Sequence, residues 1–197
     1  MLRYLLKPGT MLLICALAVS GVRSGLTGWY AAWVLAALVA SLAGDVFLML
    51  PQNRFLAGLA AFLVAHLFYI YALWWTLPVR LVSFDIVTGV CMILYAVLML
   101  RRLGAGLRQS GQRRMLAPVT VYVAVIAIMV WRSLGLLFQT GPLPVRAWLV
   151  AAGGVLFCIS DSVLGWDRFV RPLPGRDFLV MGTYFAAQYC FALSTAG

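Results

Sequence analysis

Long apolar runs separated by short polar breaks fill most of this sequence. Each run approaches the ~20 residues with which an α-helix crosses the hydrocarbon core of a bilayer. The breaks contain glycine, proline, asparagine and arginine, which favour turns or membrane surfaces. The pattern predicts an all-α fold, a polytopic membrane helical bundle with seven spans at about residues 8–22, 29–50, 55–76, 82–100, 115–138, 145–166 and 177–195.

The first run also resembles a secretory signal peptide, because basic residues precede a short apolar stretch. We favour a span that is retained in the protein. The internal repeat and the orientation described below both need a first crossing at this place.

Two aspartates lie inside predicted spans, Asp45 in ASLAGDVFLMLP and Asp161 in LFCISDSVLGW. A charged side chain near the centre of a membrane helix costs roughly 2.5–3.5 kcal/mol on insertion scales, and such residues usually mark a functional site. Two carboxyl groups in one low-dielectric site cannot both ionise easily, which predicts a protonated acid beside an ionised base. The alternative is structural, with each carboxylate paired to the arginine that follows its helix, Arg54 or Arg168.

The two aspartate segments belong to an internal repeat. Four pairs of short matches occur in the same order, at offsets of about 110 to 122 residues: Pro8-Gly-Thr10 with Pro118-Val-Thr120, Asp45-x-x-Leu48 with Asp161-x-x-Leu164, Arg54-Phe55 with Arg168-Phe169, and Ala65-His66 with Ala187-Gln188. Since three crossings end on the opposite side of the membrane, a parallel repeat of three spans needs one further span between its copies. The sequence predicts a single transmembrane domain built as 3+1+3, with repeats over about 8–76 and 115–195 and a linking helix over about 82–100.

Composition and charge support a membrane protein and predict its orientation. The chain is 64% hydrophobic and 10% charged, with mean hydropathy +1.01 and net charge +10. The basic residues lie in short clusters between apolar runs rather than on a soluble face, which argues against nucleic-acid binding. Eleven of them fall on one side of the predicted topology, and only Arg23, Arg80 and Arg146 fall on the other. Since basic loops face the cytoplasm, we expect an inner-membrane protein with a cytoplasmic N-terminus and an external C-terminus.

Polar residues near mid-membrane predict a shared cavity. His66 and Gln188, which the repeat makes equivalent, lie ~16 Å deep at the helical rise. Tyr69 and Tyr184 lie about one helical turn from them, on faces that could line the same cavity. The alternative is structural: a histidine that is hydrogen-bonded within the bundle and tyrosines that only pack between helices. One histidine with two aspartates is a weak metal signature, so we expect no metal and no cofactor.

Two further groups of residues have structural interpretations. Asp85 and Arg132 lie near outer ends of spans, and we expect their side chains to reach the membrane surface. The four cysteines each fall within an apolar run without Cys-x-x-Cys spacing, which predicts free thiols rather than a disulfide framework or a zinc site.

Six segments spread over nearly the whole chain carry a resemblance: KPGTM at 7–11, GDVFLMLP at 44–51, FLAG at 55–58, FLVAHLFY at 62–69, SDSVL at 160–164 and YFAAQ at 184–188. The pattern is similar to that of the YhhN family, the bacterial and eukaryotic lysoplasmalogenases. Family members usually have a further span before the Lys-Pro motif, which begins here at Lys7, and a larger apolar residue at the position of Gly9.

The resemblance implies a membrane-embedded hydrolase that cleaves the vinyl ether bond of lysoplasmalogens to a fatty aldehyde and a glycerophospho-alcohol. The slow step is protonation of the enol-ether carbon, which suits a carboxylic acid, and a neighbouring carboxylate can stabilise the cation and activate water. The expected partners are a lysophospholipid and the bilayer, and the sequence indicates no oligomeric state. The expected catalytic residues are Asp45 and Asp161, and the expected substrate-binding residues are His66, Tyr69, Tyr184, Gln188, Lys7, Arg54 and Arg168.

Other functions fit parts of the same pattern. A small-molecule or lipid transporter with a three-helix parallel repeat is the main alternative. An intramembrane aspartyl protease and a scramblase-like lipid pathway are further possibilities. Turnover of a lysoplasmalogen by the purified protein would separate an enzyme from a transporter.

Overall fold

The computed structural model describes residues 2–23, 28–50, 54–76, 83–138 and 144–196. Within these ranges the regular structure is helical, as the sequence predicts. Short 3₁₀ turns flank the fifth helix at Arg113–Met115 and Leu136–Phe138. The helices are α1 (Leu2–Arg23), α2 (Gly28–Met49), α3 (Phe55–Thr76), α4 (Ser83–Gln109), α5 (Leu116–Gly135), α6 (Pro144–Phe169) and α7 (Arg176–Leu193).

The outside of the bundle is apolar. Leu13, Ile93 and Leu98 are each more than half exposed, although soluble proteins rarely expose contiguous apolar surface. Among the described residues, five helical segments are long and apolar enough to cross a membrane. Several such helices in one chain indicate a multi-pass membrane protein. The five segments are Gly28–Met49, Phe55–Trp75, Phe84–Gln109, Arg113–Phe138 and Val145–Phe169, and α1 adds the shorter apolar stretch Lys7–Gly21.

The predicted end of the fourth span is wrong by nine residues, because α4 continues from residue 100 to Gln109. Its last turns are amphipathic, with Leu103 and Leu107 buried on one side and arginines exposed on the other. Gly106 lies against the end of α6, where a Cβ atom would come within 1.7 Å of the Phe169 carbonyl oxygen. The arginine-rich segment between the predicted fourth and fifth spans is therefore largely helical and packs against α6.

The sixth span is also longer than predicted, because α6 extends through Asp167 and Arg168 to Phe169. The carboxylate of Asp167 accepts hydrogen bonds from the backbone N–H of Leu173 at 2.9 Å and from Arg176 at 3.0 Å. These contacts hold the short connection to α7. As a result Asp161 lies eight residues before the end of its helix, whereas Asp45 lies four residues before the end of α2.

The helices pack in a regular order. The most extensive contacts join α2 to α3 and α6 to α7, and α1 lies on α2 much as α5 lies on α6. Cross contacts of α1 with α7 and of α3 with α5 close the bundle, while α4 packs mainly on α5 and α6. A continuous core runs between the helices, and its fully buried large members include Met11, Leu38, Tyr69, Phe157 and Phe191.

The expectation that Asp85 and Arg132 reach the membrane surface is wrong. Both residues are buried, with 6% and 4% of their surface exposed. The Arg132 guanidinium lies 5.1 Å from the centroid of the Trp74 ring and 5.9 Å from that of Trp131. Trp131 also donates from Nε1 to the Asp85 carbonyl oxygen at 2.8 Å. Aromatic rings attract a guanidinium, so this arginine is covered where it lies instead of extending outward.

Candidate active site

A polar cavity opens where the C-terminal ends of α2 and α6 approach the start of α7. It encloses about 2040 Å³, counted together with the solvent at its mouth. Both intramembrane aspartates line it, and so do cationic residues from four helices and their ends. The structure thus brings six predicted site residues together: Lys7, Asp45, Arg54, Asp161, Arg168 and Tyr184.

The close approach of α2 and α3 fixes the position of Asp45. A Cβ atom on Gly44 would lie 2.8 Å from the Phe62 ring, and one on Gly58 would lie 2.6 Å from Leu48. Small residues at these two places allow the helices to pack tightly, as is usual between membrane helices. The glycine before Asp45 therefore has a packing role, and it sets the carboxyl group against the interior of the bundle.

Asp45 is fully buried and is paired with a cation. Its Oδ1 lies 2.7 Å from the ammonium nitrogen of Lys7 on α1. The Tyr184 hydroxyl on α7 donates to Oδ2 at 2.7 Å. A buried carboxylate with both a positive charge and a hydrogen-bond donor is stabilised as the anion. The structural alternative named for this residue, a pair with Arg54, is replaced by the pair with Lys7.

Asp161 has a different environment. The Tyr122 hydroxyl on α5 donates to its Oδ2, and Nε2 of His66 on α3 lies 3.7 Å from the same oxygen. Neither neighbour carries a fixed positive charge. Ser160, which precedes Asp161 as Gly44 precedes Asp45, links α6 to α7 by donating to the Val180 carbonyl oxygen at 3.1 Å. The two aspartates therefore share a cavity but differ in the charge beside them.

The tautomer of His66 follows from its other nitrogen. Nδ1 lies 2.5 Å from the Phe62 carbonyl oxygen, which can only accept a hydrogen bond. Nδ1 therefore carries a hydrogen, and in neutral imidazole Nε2 presents its lone pair toward Asp161. The ring is buried between Tyr122 and Phe157, at centroid distances of 5.3 and 4.6 Å. This packing holds the imidazole beside the carboxyl group.

Tyr69 and Gln188 lie behind the cavity rather than along its wall. The Tyr69 hydroxyl donates to Oε1 of Gln188 at 2.5 Å, and both side chains are buried. The Tyr69 ring stacks on Phe191 with the centroids 4.0 Å apart. The pair links α3 to α7, the helices that carry His66 and Tyr184.

The mouth of the cavity is strongly basic. Arg54, Arg168 and Arg176 line it, and the Arg168 guanidinium lies 5.0 Å from the centroid of the Phe55 ring. Arg176 bonds to Asp177 at 2.6 Å and to Asp167 at 3.0 Å. The hydrogen bond with Asp177 is the main cause that raises the pKa of Arg176, so this guanidinium stays charged. Arginine forks suit the oxygens of a phosphate group.

An apolar cleft lies beside the polar cavity, and Asp161 belongs to the walls of both. Residues of α4 and α5 form much of the cleft, including Tyr95, Met99 and Tyr122. Sequence reasoning missed these residues. Tyr122 is 39 positions from its partner Asp161, and no spacing rule connects the two. Among the described residues, no group of three His, Cys, Asp or Glu side chains is placed to hold a metal ion.

Comparison with known proteins matches the chain to a family model described as the YhhN family over residues 2–195. Human lysoplasmalogenase TMEM86B is 35% identical over 170 residues, covering 85% of this chain and 65% of that protein. Human lysoplasmalogenase TMEM86A is 34% identical over 163 residues, covering 82% and 64%. A lysoplasmalogenase of Mycobacterium tuberculosis is 32% identical over 172 residues, covering 84% and 59%. This chain spans less than two thirds of the length of these relatives, and no solved structure matches it.

Proposed function

We propose that this chain, which belongs to the YhhN family, is a membrane-embedded hydrolase that cleaves the vinyl ether bond of lysoplasmalogens. The relatives named lysoplasmalogenase support the substrate class. The observation that carries the proposal is the pair of aspartates in one cavity, Asp45 buried and Asp161 partly buried, of which only Asp45 has a cation at its carboxylate among the described residues. Such a pair supplies both an acid and a base at neutral pH.

The neighbours of each carboxyl group support a division of roles. Lys7 and Tyr184 stabilise Asp45 as the anion, so it serves as the base and as the negative charge beside the developing cation. Asp161 has only neutral neighbours on Oδ2 and faces the negative charge of Asp45 across the cavity, so it holds the proton. With Oδ2 engaged by Tyr122, Oδ1 is the oxygen from which Asp161 donates to the substrate.

The reaction closes as a cycle in which the two aspartates exchange roles. Asp161 gives its proton to the enol-ether carbon, and an oxocarbenium ion forms beside the Asp45 carboxylate. Asp45 takes a proton from the water that adds to this ion, which gives a hemiacetal. Asp161 then accepts the proton of the hemiacetal hydroxyl, while Asp45 returns its proton to the departing glycerol oxygen. The products are a fatty aldehyde and a glycerophospho-alcohol, and both aspartates regain their starting states.

The cavity also suits the polar end of a lysolipid. Arg54 and Arg168 at its mouth are placed to bind a phosphate, whereas Lys7 is paired with Asp45 and Arg176 with Asp167 and Asp177. The His66 ring packs beside Asp161, with Nε2 3.7 Å from Oδ2, and Tyr69 with Gln188 positions the helices behind the site. Lys7, Tyr69 and Gln188 therefore act by positioning the reacting groups.

We further propose seven spans arranged as a 3+1+3 parallel repeat, with the N-terminus in the cytoplasm and the C-terminus outside the inner membrane. The helix pairs support the repeat, because α1–α2, α2–α3 and α1–α7 have counterparts in α5–α6, α6–α7 and α5–α3. The excess of arginines on one face supports the orientation.

The test is hydrolysis of a 1-alkenyl lysophospholipid by detergent-purified protein in heavy water. Protonation at carbon places one deuterium at carbon 2 of the released aldehyde, which mass spectrometry detects. Matched 1-alkyl and 1-acyl lysolipids serve as controls. The alkyl lipid should not react, since it has no enol-ether carbon. Equal cleavage of the acyl lipid would point to an esterase, and the absence of any cleavage would favour the transporter.

A further inference from the structure

The apolar cleft beside the candidate active site adjoins the polar cavity. The two share five wall residues, Leu48, Phe55, Phe62, Asp161 and Leu164. Counted together with the solvent at its open side, the cleft has a volume of about 570 Å³, against about 2040 Å³ for the cavity. Asp161 is the one carboxyl group among the residues lining the cleft, and it belongs to the walls of both spaces.

The other polar side chains of the cleft wall already have hydrogen-bond partners within the protein. The Ser162 hydroxyl donates to the Cys158 carbonyl oxygen at 2.5 Å, so the Tyr95 hydroxyl, 2.7 Å from Ser162 Oγ, is the donor to that oxygen. The Tyr122 hydroxyl is engaged by Asp161. Apart from Asp161, the side chains of this wall therefore offer a ligand hydrocarbon contacts and no unsatisfied donor.

We infer that the cleft holds the single hydrocarbon chain of the substrate, and that Met99, Leu103 and Val123 at its walls set the chain length that is accepted. The inference rests on the proposed function for the reacting group at the head of the chain. With the chain in the cleft and the phosphate at the basic mouth, the bond between them lies beside Asp161. A second acyl chain has no place in so narrow a space.

This assignment gives α4 a function beyond joining the two repeats. α4 lies mainly on α5 and α6, and it contributes Tyr95, Met99 and Leu103 to the cleft. Since the bilayer is as apolar as the cleft, transfer of the chain brings little hydrophobic gain. Discrimination between chains of different length must therefore come from the shape of the cleft, which is set by the side chains that narrow it.

The first experiment narrows the cleft and compares substrates. Val123→Phe fills it from α5, and Gly165→Leu fills it from α6, where a new side chain would point toward Leu103. We expect either change to lower kcat/KM for a long 1-alkenyl lysolipid at least ~10-fold relative to a shorter one. Val97→Phe and Val121→Phe are the matched controls, because both valines are about half exposed on the outside of α4 and α5. They should leave the preference unchanged, and an unchanged preference in the cleft variants as well would overturn the inference.

The second experiment uses the unmodified protein and does not depend on turnover. The probe is a saturated 1-alkyl lysophospholipid with a diazirine at the end of its chain. After irradiation, peptide mass spectrometry should find the label on Met99 or Leu103. Labelling confined to exposed positions such as Ile93 and Leu98 would overturn the inference. Labelling in the cleft without hydrolysis of any lysolipid would contradict the proposed function but would still support the cleft as the binding site of the hydrocarbon chain.

Discussion

At the scale of single residues, Asp45 and Asp161 have different partners, so their substitutions should affect turnover and thermal stability differently. Asp161→Asn replaces a carboxyl group whose neighbours are neutral, so we expect a loss of turnover of at least ~10²-fold with little change in thermal stability. Asp45→Asn also abolishes turnover but leaves the partly buried Lys7 without its counter-charge. Breaking a fully buried pair costs about 3–5 kcal/mol, and the partial exposure of Lys7 makes the loss here smaller, so this variant should melt earlier than the wild type.

The double variant Lys7→Met with Asp45→Asn checks this interpretation. Removing both charges should restore much of the melting temperature without restoring activity. Thermal unfolding in detergent and aldehyde release measure the two effects separately. A double variant no more stable than Asp45→Asn would mean that the pair contributes little, and near wild-type turnover by well-folded Asp161→Asn would exclude it as the acid.

Two buried tyrosine hydroxyls provide a second contrast at this scale. Tyr122→Phe removes the donor to Asp161, and we expect about tenfold slower turnover because the carboxyl group loses its fixed orientation. Tyr69→Phe removes the donor to Gln188 behind the cavity, which should cost about 1–3 kcal/mol of stability. For each variant, kcat and KM from a series of substrate concentrations measure the effect on turnover, and a melting curve measures the effect on stability. Equal loss of kcat in the two variants would show that the site extends to Gln188.

The individual site residues differ in how far the sequence can predict them. Asp45 and Asp161 stand out because charge inside an apolar run is costly and needs a reason. The sequence predicts Lys7 as a substrate-binding residue, whereas its ammonium group lies on Asp45, a contact that depends on how α1 meets α2. Tyr122 is one tyrosine among eight until the fold brings it to Asp161. Sequence patterns predict burial cost and miss contacts that only packing creates.

At the scale of elements, hydropathy predicts helices well where they end at turns and poorly where they continue into charge. The predicted bounds of α2 and α3 agree with the structure within one residue, because glycine or proline lies at their breaks. The bound of α4 fails because Arg101 and Arg102 resemble the start of a loop. Periodicity contains the missing signal, since Leu103 and Leu107 are one turn apart and both are buried.

The contact between α4 and the end of α6 yields a prediction with an internal control. Gly106→Ala places a methyl group within 1.7 Å of the Phe169 carbonyl oxygen, so the helices must separate. We expect a loss of about 1–3 kcal/mol and lower activity, because α4 also lines the cleft. Gly104→Ala meets only Leu116, at 3.8 Å, and should be neutral or stabilising. Melting curves of both variants measure the change in stability. Equal stability of the two variants would mean that α4 does not pack against the end of α6 through Gly106.

At the scale of the whole molecule, the orientation proposed from the arginines has a direct test. A reporter after the C-terminus and one inserted at Gly111 should report opposite sides of the membrane. Gly111 suits the insertion because it lies in an exposed turn with a φ of 72°, whereas residues up to 109 belong to α4. The expected result is a cytoplasmic signal at Gly111 and an external one at the C-terminus. The same side for both would contradict seven spans.

The partners of the two aspartates are drawn crosswise from the chain. Asp45 takes Lys7 from its own half and Tyr184 from the other, whereas Asp161 takes Tyr122 from its own half and His66 from the other. Under the proposed repeat and site, each half supplies a partner to the aspartate of the other half. After a duplication, substitutions in one half would then be accompanied by substitutions in the other. In an alignment of related sequences, we expect positions 45 and 184 to change together, and likewise positions 66 and 161, although the members of each pair lie in different halves of the chain.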